Sequence, residues 1–258
     1  MVKGLYTAYT GMINEQNRMD VITNNLANSD TSGFKKEGAT SQAFDTVLAY
    51  KIKDASVSPN LAKGIGNMNL GVKVGENYTD YSQGAFRITD NDFDLAISGS
   101  GFFSVEFTNK AGETSTKYTR DGSLTLTKDG YLVTKDGDYV LSDKKTRIKL
   151  DPTQDTLIDK NGNVIQNSKL IATIKITDFE DYDYLEHYGE NYYQPVDGAK
   201  EKPADYQINQ GYLETSNVQV VQEMVEMISV SRQYESNQRM ITTIDSTLEI
   251  ASRQLGKV

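Results

Sequence analysis

The sequence predicts a mixed α and β chain: a long helix at each end and an all-β, sandwich- or barrel-like body between them. Two patterns carry this. Near the C-terminus an apolar residue returns every seventh position, at Val220, Met227, Tyr234, Ile241, Leu248 and Leu255. The first thirty residues repeat it at Leu5, Met12, Met19 and Leu26. A seven-residue apolar repeat marks a helix that buries one seam against other helices. Between the ends, short runs rich in β-branched and aromatic residues are punctuated by Asp-Gly pairs, a strong hairpin signal.

The N-terminal helix is predicted over 3–28. Leu5, Tyr9, Met12, Met19, Ile22 and Leu26 share one broad face, weakened by Gln16 and Thr23. The run Asn28-Ser29-Asp30-Thr31-Ser32-Gly33 ends it, and Asn28 or Gly33 suits a positive φ there. Residues 36–72 read as a connecting segment with little core, in which Phe44 to Tyr50 continues a helix or starts an extended arm. Strand patterns occupy 73–211. Leu95-Ala96-Ile97, Phe102 to Val105, Thr125 to Thr127, Tyr131 to Val133, Tyr139 to Leu141 and Ile171 to Ile176 form the runs. The tyrosine-rich, acidic stretch Asp178 to Tyr193 reads as a loop or edge. The last helix belongs to a segment 212–258, with Ser216 or Asn217 as N-cap and Gln219 completing a capping box. A second seam row, three residues after the first, reads Glu223, Val230, Asn237, Ile244, Ala251 and Val258, with Asn237 suited to setting register.

Composition narrows the function. The chain has 258 residues, a formal charge of -9, sixteen Tyr, no Trp and no Cys. The acidity argues against a nucleic-acid partner and against adhesion to anionic lipid. Without cysteine there are no disulfides, thiol nucleophiles or cysteine-bound metals. No apolar stretch approaches the roughly 20 residues of a membrane span. No secretory h-region follows Lys3, because Thr7, Thr10, Asn14, Glu15 and Gln16 interrupt it. Direct membrane insertion is therefore not expected.

No catalytic, cofactor or metal site is predicted. Gly99-Ser100-Gly101 lacks the third glycine and following helix of a phosphate loop. Asp159-Lys160-Asn161-Gly162-Asn163 has a calcium-loop look, but Leu170 occupies the closing position, so a tight turn is expected. His187, the one histidine, has no second histidine or cysteine to work with and reads as a solvated residue of the acidic loop.

The segment Asn24-Asn25-Leu26-Ala27-Asn28-Ser29-Asp30-Thr31-Ser32-Gly33-Phe34-Lys35 resembles the N-terminal motif of the bacterial flagellar rod and hook protein family. Asn25, Leu26, Ala27, Asn28, Thr31, Gly33 and Phe34 carry it. Three further segments are similar to that family in its order: Asp94 to Phe103, Tyr118-Thr119-Arg120-Asp121-Gly122-Ser123, and Gly211 to Val218 running into the last helix. The length favours a rod member over a hook member. The Glu214-Thr215-Ser216-Asn217-Val218 string and the presence of the 36–72 segment are most similar to distal-rod members; a proximal-rod or hook-basal-body paralogue is the alternative.

The resemblance implies that the terminal helices (1–35 and 212–258) form a coiled-coil inner domain, with the β body outside. It implies a structural, non-enzymatic subunit exported through the flagellar type III apparatus, associating with copies of itself and other rod and hook subunits into a hollow, torque-bearing shaft. The place is the basal body, spanning periplasm and cell wall. Interface residues expected on the repeat are Leu5, Met12, Met19, Leu26, Val220, Met227, Tyr234, Ile241, Leu248 and Leu255. Apolar residues off the seam (Tyr6, Ile13, Val21, Val221, Ile228, Ile250) imply a second face needing neighbours. A rival from another class is a wall hydrolase with a helical anchor.

Overall fold

The computed structural model describes residues 2–44, 46–51, 63–109, 112–189 and 191–255. Its mixed architecture has a helix near each end and a β-rich centre, divided into two units. One contains residues 1–26, 37–79 and 219–258; the other contains 27–36 and 80–218.

In the first unit, helix α1 spans Val2–Ala27. Helix α2 spans Val220–Leu255, 36 residues without Gly or Pro and about 54 Å long. The helices run antiparallel, since contacts pair rising numbers in α1 with falling ones in α2. Gly4 faces the Ile244 side chain and Gly11 faces Asn237. Arg18 Nη2 donates to Glu226 Oε1 at 3.0 Å and Asn25 Nδ2 to Glu223 Oε2 at 3.3 Å. On α2 the buried and half-buried positions include Glu223, Met227, Val230, Tyr234, Asn237, Ile241 and Ile244. Their alternating steps of four and three are those of the predicted seam.

On α1 the facing row is Gly4, Ala8, Gly11, Glu15, Arg18, Ile22 and Asn25; apart from Ile22, which the predicted face already held, it runs one position before Leu5, Tyr9, Met12, Met19 and Leu26. Small side chains at 4, 8 and 11 let the two backbones approach. The pairs Arg239–Glu235 (3.7 Å) and Arg253–Glu249 (2.6 Å) lie at i,i+4 on exposed α2 surface. Each is worth only a few tenths of a kcal/mol.

Residues 37–79 carry strands where a connecting segment was expected. β1 (Glu37–Ala43) pairs antiparallel with β4 (Val72–Thr79), from Glu37↔Thr79 to Ala43↔Val72, with a register shift between Ala39 and Ser41. Between them β2 (Val47–Lys51) pairs with β3 (Lys63–Met68). Of the stretch expected as helix or extended arm, residues 47–50 are thus extended. β1 is Glu-Gly-Ala-Thr-Ser-Gln-Ala, which alternates nothing apolar; backbone pairing rather than a buried face holds it.

In the second unit the largest sheet has nine strands. Its centre is the strand Phe102–Thr108, which pairs along its length with Thr114–Thr119, from Phe103↔Thr119 to Thr108↔Thr114. Its other edge pairs first with Ile176–Phe179 and then with Tyr139–Val140. A three-stranded sheet, Thr156–Ile158, Asn163–Gln166 and Lys169–Thr173, stands beside smaller two-stranded ladders. Leu95, Ile97, Phe103, Val105, Leu132, Val140, Ile148 and Ile174 form the main buried core. A second cluster of Phe102, Tyr118, Phe179, Leu185 and Tyr193 is aromatic. The ring of Tyr118 stands edge-on to Phe179 at 5.0 Å, a favoured geometry for paired quadrupoles.

One local expectation resolves to its edge alternative, and one, for His187, changes. Residues 178–193, read as loop or edge, include the hairpin Leu185–Tyr188 and Tyr192–Pro195 at one end of the nine-stranded sheet. His187 lies on that hairpin, half-buried with its ring edge-on to Tyr193 at 5.5 Å, not in a solvated loop. The Asp159–Asn163 segment is the expected tight turn: the Gly162 amide donates to the Asp159 carbonyl at 2.8 Å.

Candidate functional sites

The motif segments meet at a buried junction in the β unit. Gly33 has φ +71°, the left-handed region that glycine enters without strain. Asn28, the other residue suited to that role, is absent from the positive-φ positions. The Asn28 carbonyl instead accepts from the Thr31 amide at 3.3 Å. Gly33 donates its amide to the Glu214 carbonyl at 2.8 Å. A Cβ there would press on the Asp121 amide and lie 2.5 Å from the Arg120 carbonyl carbon. The N-terminal motif, the Tyr118–Ser123 motif and the C-terminal motif thus touch at one glycine.

The next two residues anchor the junction. Phe34 is buried, and so is Lys35, at 1% exposure. Lys35 Nζ donates to Glu214 Oε1 at 2.6 Å and to the Ser82 carbonyl at 2.8 Å. Glu214 is equally buried; its Oε1 also accepts from the Gly84 amide at 2.9 Å, and its Oε2 from Arg120 Nη1 at 3.2 Å. Arg120 spends a second donor on the Gly99 carbonyl at 2.8 Å and lies over the Phe102 ring. Burial pushes the Lys35 amine below its ordinary value, opposed by the charge and hydrogen bond of Glu214. Two cations share one carboxylate, and backbone carbonyls and an amide take up part of the remaining hydrogen-bonding capacity, while the Arg120 Nε stays buried without a partner.

Asn217 closes the same junction. Its Oδ1 accepts from the Lys36 amide at 2.7 Å, and its Nδ2 donates to the Asp80 carbonyl at 2.8 Å. The Ser216 hydroxyl accepts from the Val218 amide at 3.2 Å. The Asn217 side chain is committed to the junction and the Ser216 hydroxyl bonds the Val218 amide ahead of the helix, so neither caps α2 as the sequence suggests. The helix starts at Val220, and the Gln219 carbonyl accepts from the Glu223 amide at 3.0 Å.

Asn25 belongs to the helical unit. It is 1% exposed, and its side chain completes both backbone bonds of Glu37. Its Oδ1 accepts from the Glu37 amide at 2.9 Å and its Nδ2 donates to the Glu37 carbonyl at 2.8 Å. An amide of that length at that position stands in for a strand partner at the start of β1. Of the remaining motif residues, Leu26, Asn28 and Thr31 are half-buried and Ala27 is exposed.

The repeat residues proposed as interface are distributed as follows. Leu5, Met12, Met19, Leu26, Met227, Tyr234 and Ile241 are half-buried, while Val220 and Leu248 sit at 37% and 36% exposure. The side chains of Leu255 and Val258 lie outside the described residues. The most exposed apolar side chains stand elsewhere. On α1 they are Tyr6, Tyr9 and Ile13; on α2 they are Val221 at 77%, Met224, Val225 at 63%, Ile228, Met240 and Ile250. At 100° per residue, Tyr6, Tyr9 and Ile13 lie opposite the face of α1 that meets α2. Val221, Val225 and Ile228 likewise lie opposite the face of α2 that meets α1.

Sequence reasoning singled out Tyr6, Ile13, Val221, Ile228 and Ile250, grouped with them Val21, which is half-buried, set Tyr9 on the main face, and missed Met224, Val225 and Met240. It also missed Lys35 and Arg120 as buried partners of Glu214. Among the described residues, no group of three His, Asp or Glu side chains is placed to hold a metal, and no helix is long and apolar enough to cross a membrane.

A bent, buried N-terminal motif, a matching C-terminal motif and two long helices with uncovered apolar faces define a structural assembly subunit. Three family models match the chain. The flagella basal body rod protein model covers residues 5–35, the flagellar hook protein FlgE/F/G D1 domain model covers 96–166, and the flagellar basal body rod FlgEFG protein C-terminal model covers 209–254. A flagellar basal-body rod protein FlgG of Buchnera aphidicola subsp. Schizaphis graminum is 32% identical over 98% of this chain and 100% of its own length. A flagellar basal-body rod protein FlgF of Caulobacter vibrioides is 33% identical, with both chains fully covered. A flagellar hook-basal body complex protein FlhO of Bacillus subtilis is 30% identical, again over both full lengths. The chain belongs to the flagellar basal-body rod protein family. That membership does not favour the wall-hydrolase reading.

Proposed function

We propose that this chain is a structural subunit of the bacterial flagellar rod, assembling with copies of itself and with related rod and hook subunits into a hollow shaft that carries torque. The observation that carries the reading is the outer apolar face on each terminal helix. Val221 and Val225, at 77% and 63% exposure, lie on a helix already paired on its other side. An apolar face left over after the intramolecular pairing requires neighbours. In this reading α1 and α2 form an antiparallel coiled coil on the inside of the shaft, and the β unit forms its outer wall. Export through the flagellar type III apparatus delivers the subunit. FlgG and FlgF relatives are about equally similar to this chain, and the distal-rod assignment rests on the Glu214–Val218 string and the presence of the 36–72 segment.

The repeat residues and the outer-face residues have separate roles here. Leu5, Met12, Met19, Leu26, Met227, Tyr234 and Ile241 steady the helix pair, while Val221, Val225 and Ile228 meet neighbours. A substitution at Ile241 therefore disturbs pair and interface together, whereas one at Val225 isolates the interface. Val225→Asp is expected to abolish sedimentable polymer at protein concentrations where the unchanged chain assembles, with helical circular dichroism retained. Polymer formation by Val225→Asp at the unchanged concentration would remove α2's outer face from the interface.

A further inference from the structure

The outer patches on α1 and α2 are unlike, and they lie on opposite sides and at opposite ends of the helix pair. Gly4 against Ile244, Gly11 against Asn237 and Asn25 against Glu223 give a constant sum of residue numbers across the pair. On that register the α1 patch, centred on Tyr9, lies level with the stretch of α2 near residue 239. The α2 patch is centred on Val225, about fourteen residues away along the helix, or roughly 20 Å. Neither patch can cover the other within one chain.

From this geometry we infer that the α1 patch of one copy docks on the α2 patch of the next, head to tail, each copy advancing roughly 20 Å along the helix axis. The occupant of each patch is thus a second copy of this chain, and the inference rests on the rod-subunit reading above. Copies that share one direction set the α1 of one antiparallel to the α2 of its neighbour. The exposed residues then match in spacing: Tyr6, Tyr9 and Ile13 step by three and four, and Ile228, Val225 and Val221 step by three and four in the opposite direction. The register pairs Tyr6 with Ile228, Tyr9 with Val225 and Ile13 with Val221, all exposed and uncharged.

Unlike patches joined head to tail generate an open filament rather than a closed dimer. Six side chains at about half exposure offer on the order of 500 Å², under the roughly 1,000 Å² of a stable pairwise interface. An isolated pair of copies therefore dissociates, and the contact is kept where each copy engages two neighbours at once.

The chain's lack of cysteine makes the test direct. Full-length Ile13→Cys, Val221→Cys and the double variant are oxidised at a concentration where the unchanged protein sediments as polymer. The expected result is a covalent ladder from the double variant, dimers from a mixture of the two single variants, and none from either alone. Tyr9→Cys with Val225→Cys, one step along the same register, repeats the test if the first pair disturbs folding. Self-linking of either single variant would mean like-to-like contact and overturn the proposal. Polymer without cross-links from either pair would overturn the register and leave the rod reading intact. An unchanged chain that stays monomeric at every concentration would sink both.

Discussion

Glu214→Ala is expected to lower the unfolding free energy of the β unit by about 3–5 kcal/mol. The substitution leaves Lys35 and Arg120, at 1% and 5% exposure, buried without their carboxylate, and frees the Gly84 amide as well. The Ser82 and Gly99 carbonyls still accept from them, but a carbonyl dipole does not neutralise a buried cation. Glu106→Ala is the matching control. Its Arg147 partner is exposed, so loss of that solvent-screened pair is expected to shift stability far less than loss of Glu214.

Urea unfolding followed by tyrosine fluorescence suits a chain with sixteen Tyr and no Trp. Equal midpoints for Glu214→Ala and Glu106→Ala would show that the buried cluster holds nothing together. A further variant separates stability from geometry. Replacing Lys35, Arg120 and Glu214 together by Met removes the three buried charges of this cluster, and such replacements are often neutral or stabilising. If the triple variant folds well but assembles poorly, the cluster serves to fix how both terminal segments enter the β unit.

Gly33→Ala is expected to cost about 3 kcal/mol or more, from two sources that add. An alanine at φ +71° carries roughly 1–2 kcal/mol of left-handed strain. Its Cβ also meets the backbone of Arg120 and Asp121, which cannot rotate away as a side chain would. Forced repacking of that kind costs about 1–3 kcal/mol. Gly137→Ala is the comparison: φ is +95°, but nothing lies near the added Cβ, so only strain remains. Thermal unfolding of both variants checks the difference. Equal losses would mean that the close approach of the two motifs at Gly33 is slack.

The parts of the fold legible in the sequence are those whose demands are local. A 36-residue run without Gly or Pro and with steps of three and four reads as α2, and it is one. Asp136-Gly137 between apolar runs reads as a turn, and Gly137 takes positive φ there. Gly33 reads as a backbone requirement because little else fits a tight bend.

What was not legible depended on partners far along the chain. β1 has no apolar alternation; it is a strand because Val72–Thr79 supplies its ladder and Asn25 its first backbone bonds. The row of α1 that meets α2 includes Gly4, Ala8 and Gly11, whereas a search for large apolar side chains selects Leu5 and Met12 one position later. Ser216 and Asn217 look like caps, but the junction claims Asn217 and the Ser216 hydroxyl bonds the Val218 amide before the helix begins. Lys35 looks like one more surface lysine, and nothing local signals that a carboxylate 179 residues away takes it into the interior.

The central claim is that copies of this chain form part of the rod. Basal bodies purified from bacteria expressing an epitope-labelled copy, imaged by electron microscopy, test it most directly. Label along the axial shaft between the membrane-embedded base and the hook is the predicted result. Label confined to any other part of the basal body, or lost on purification while the shaft stays whole, would contradict it.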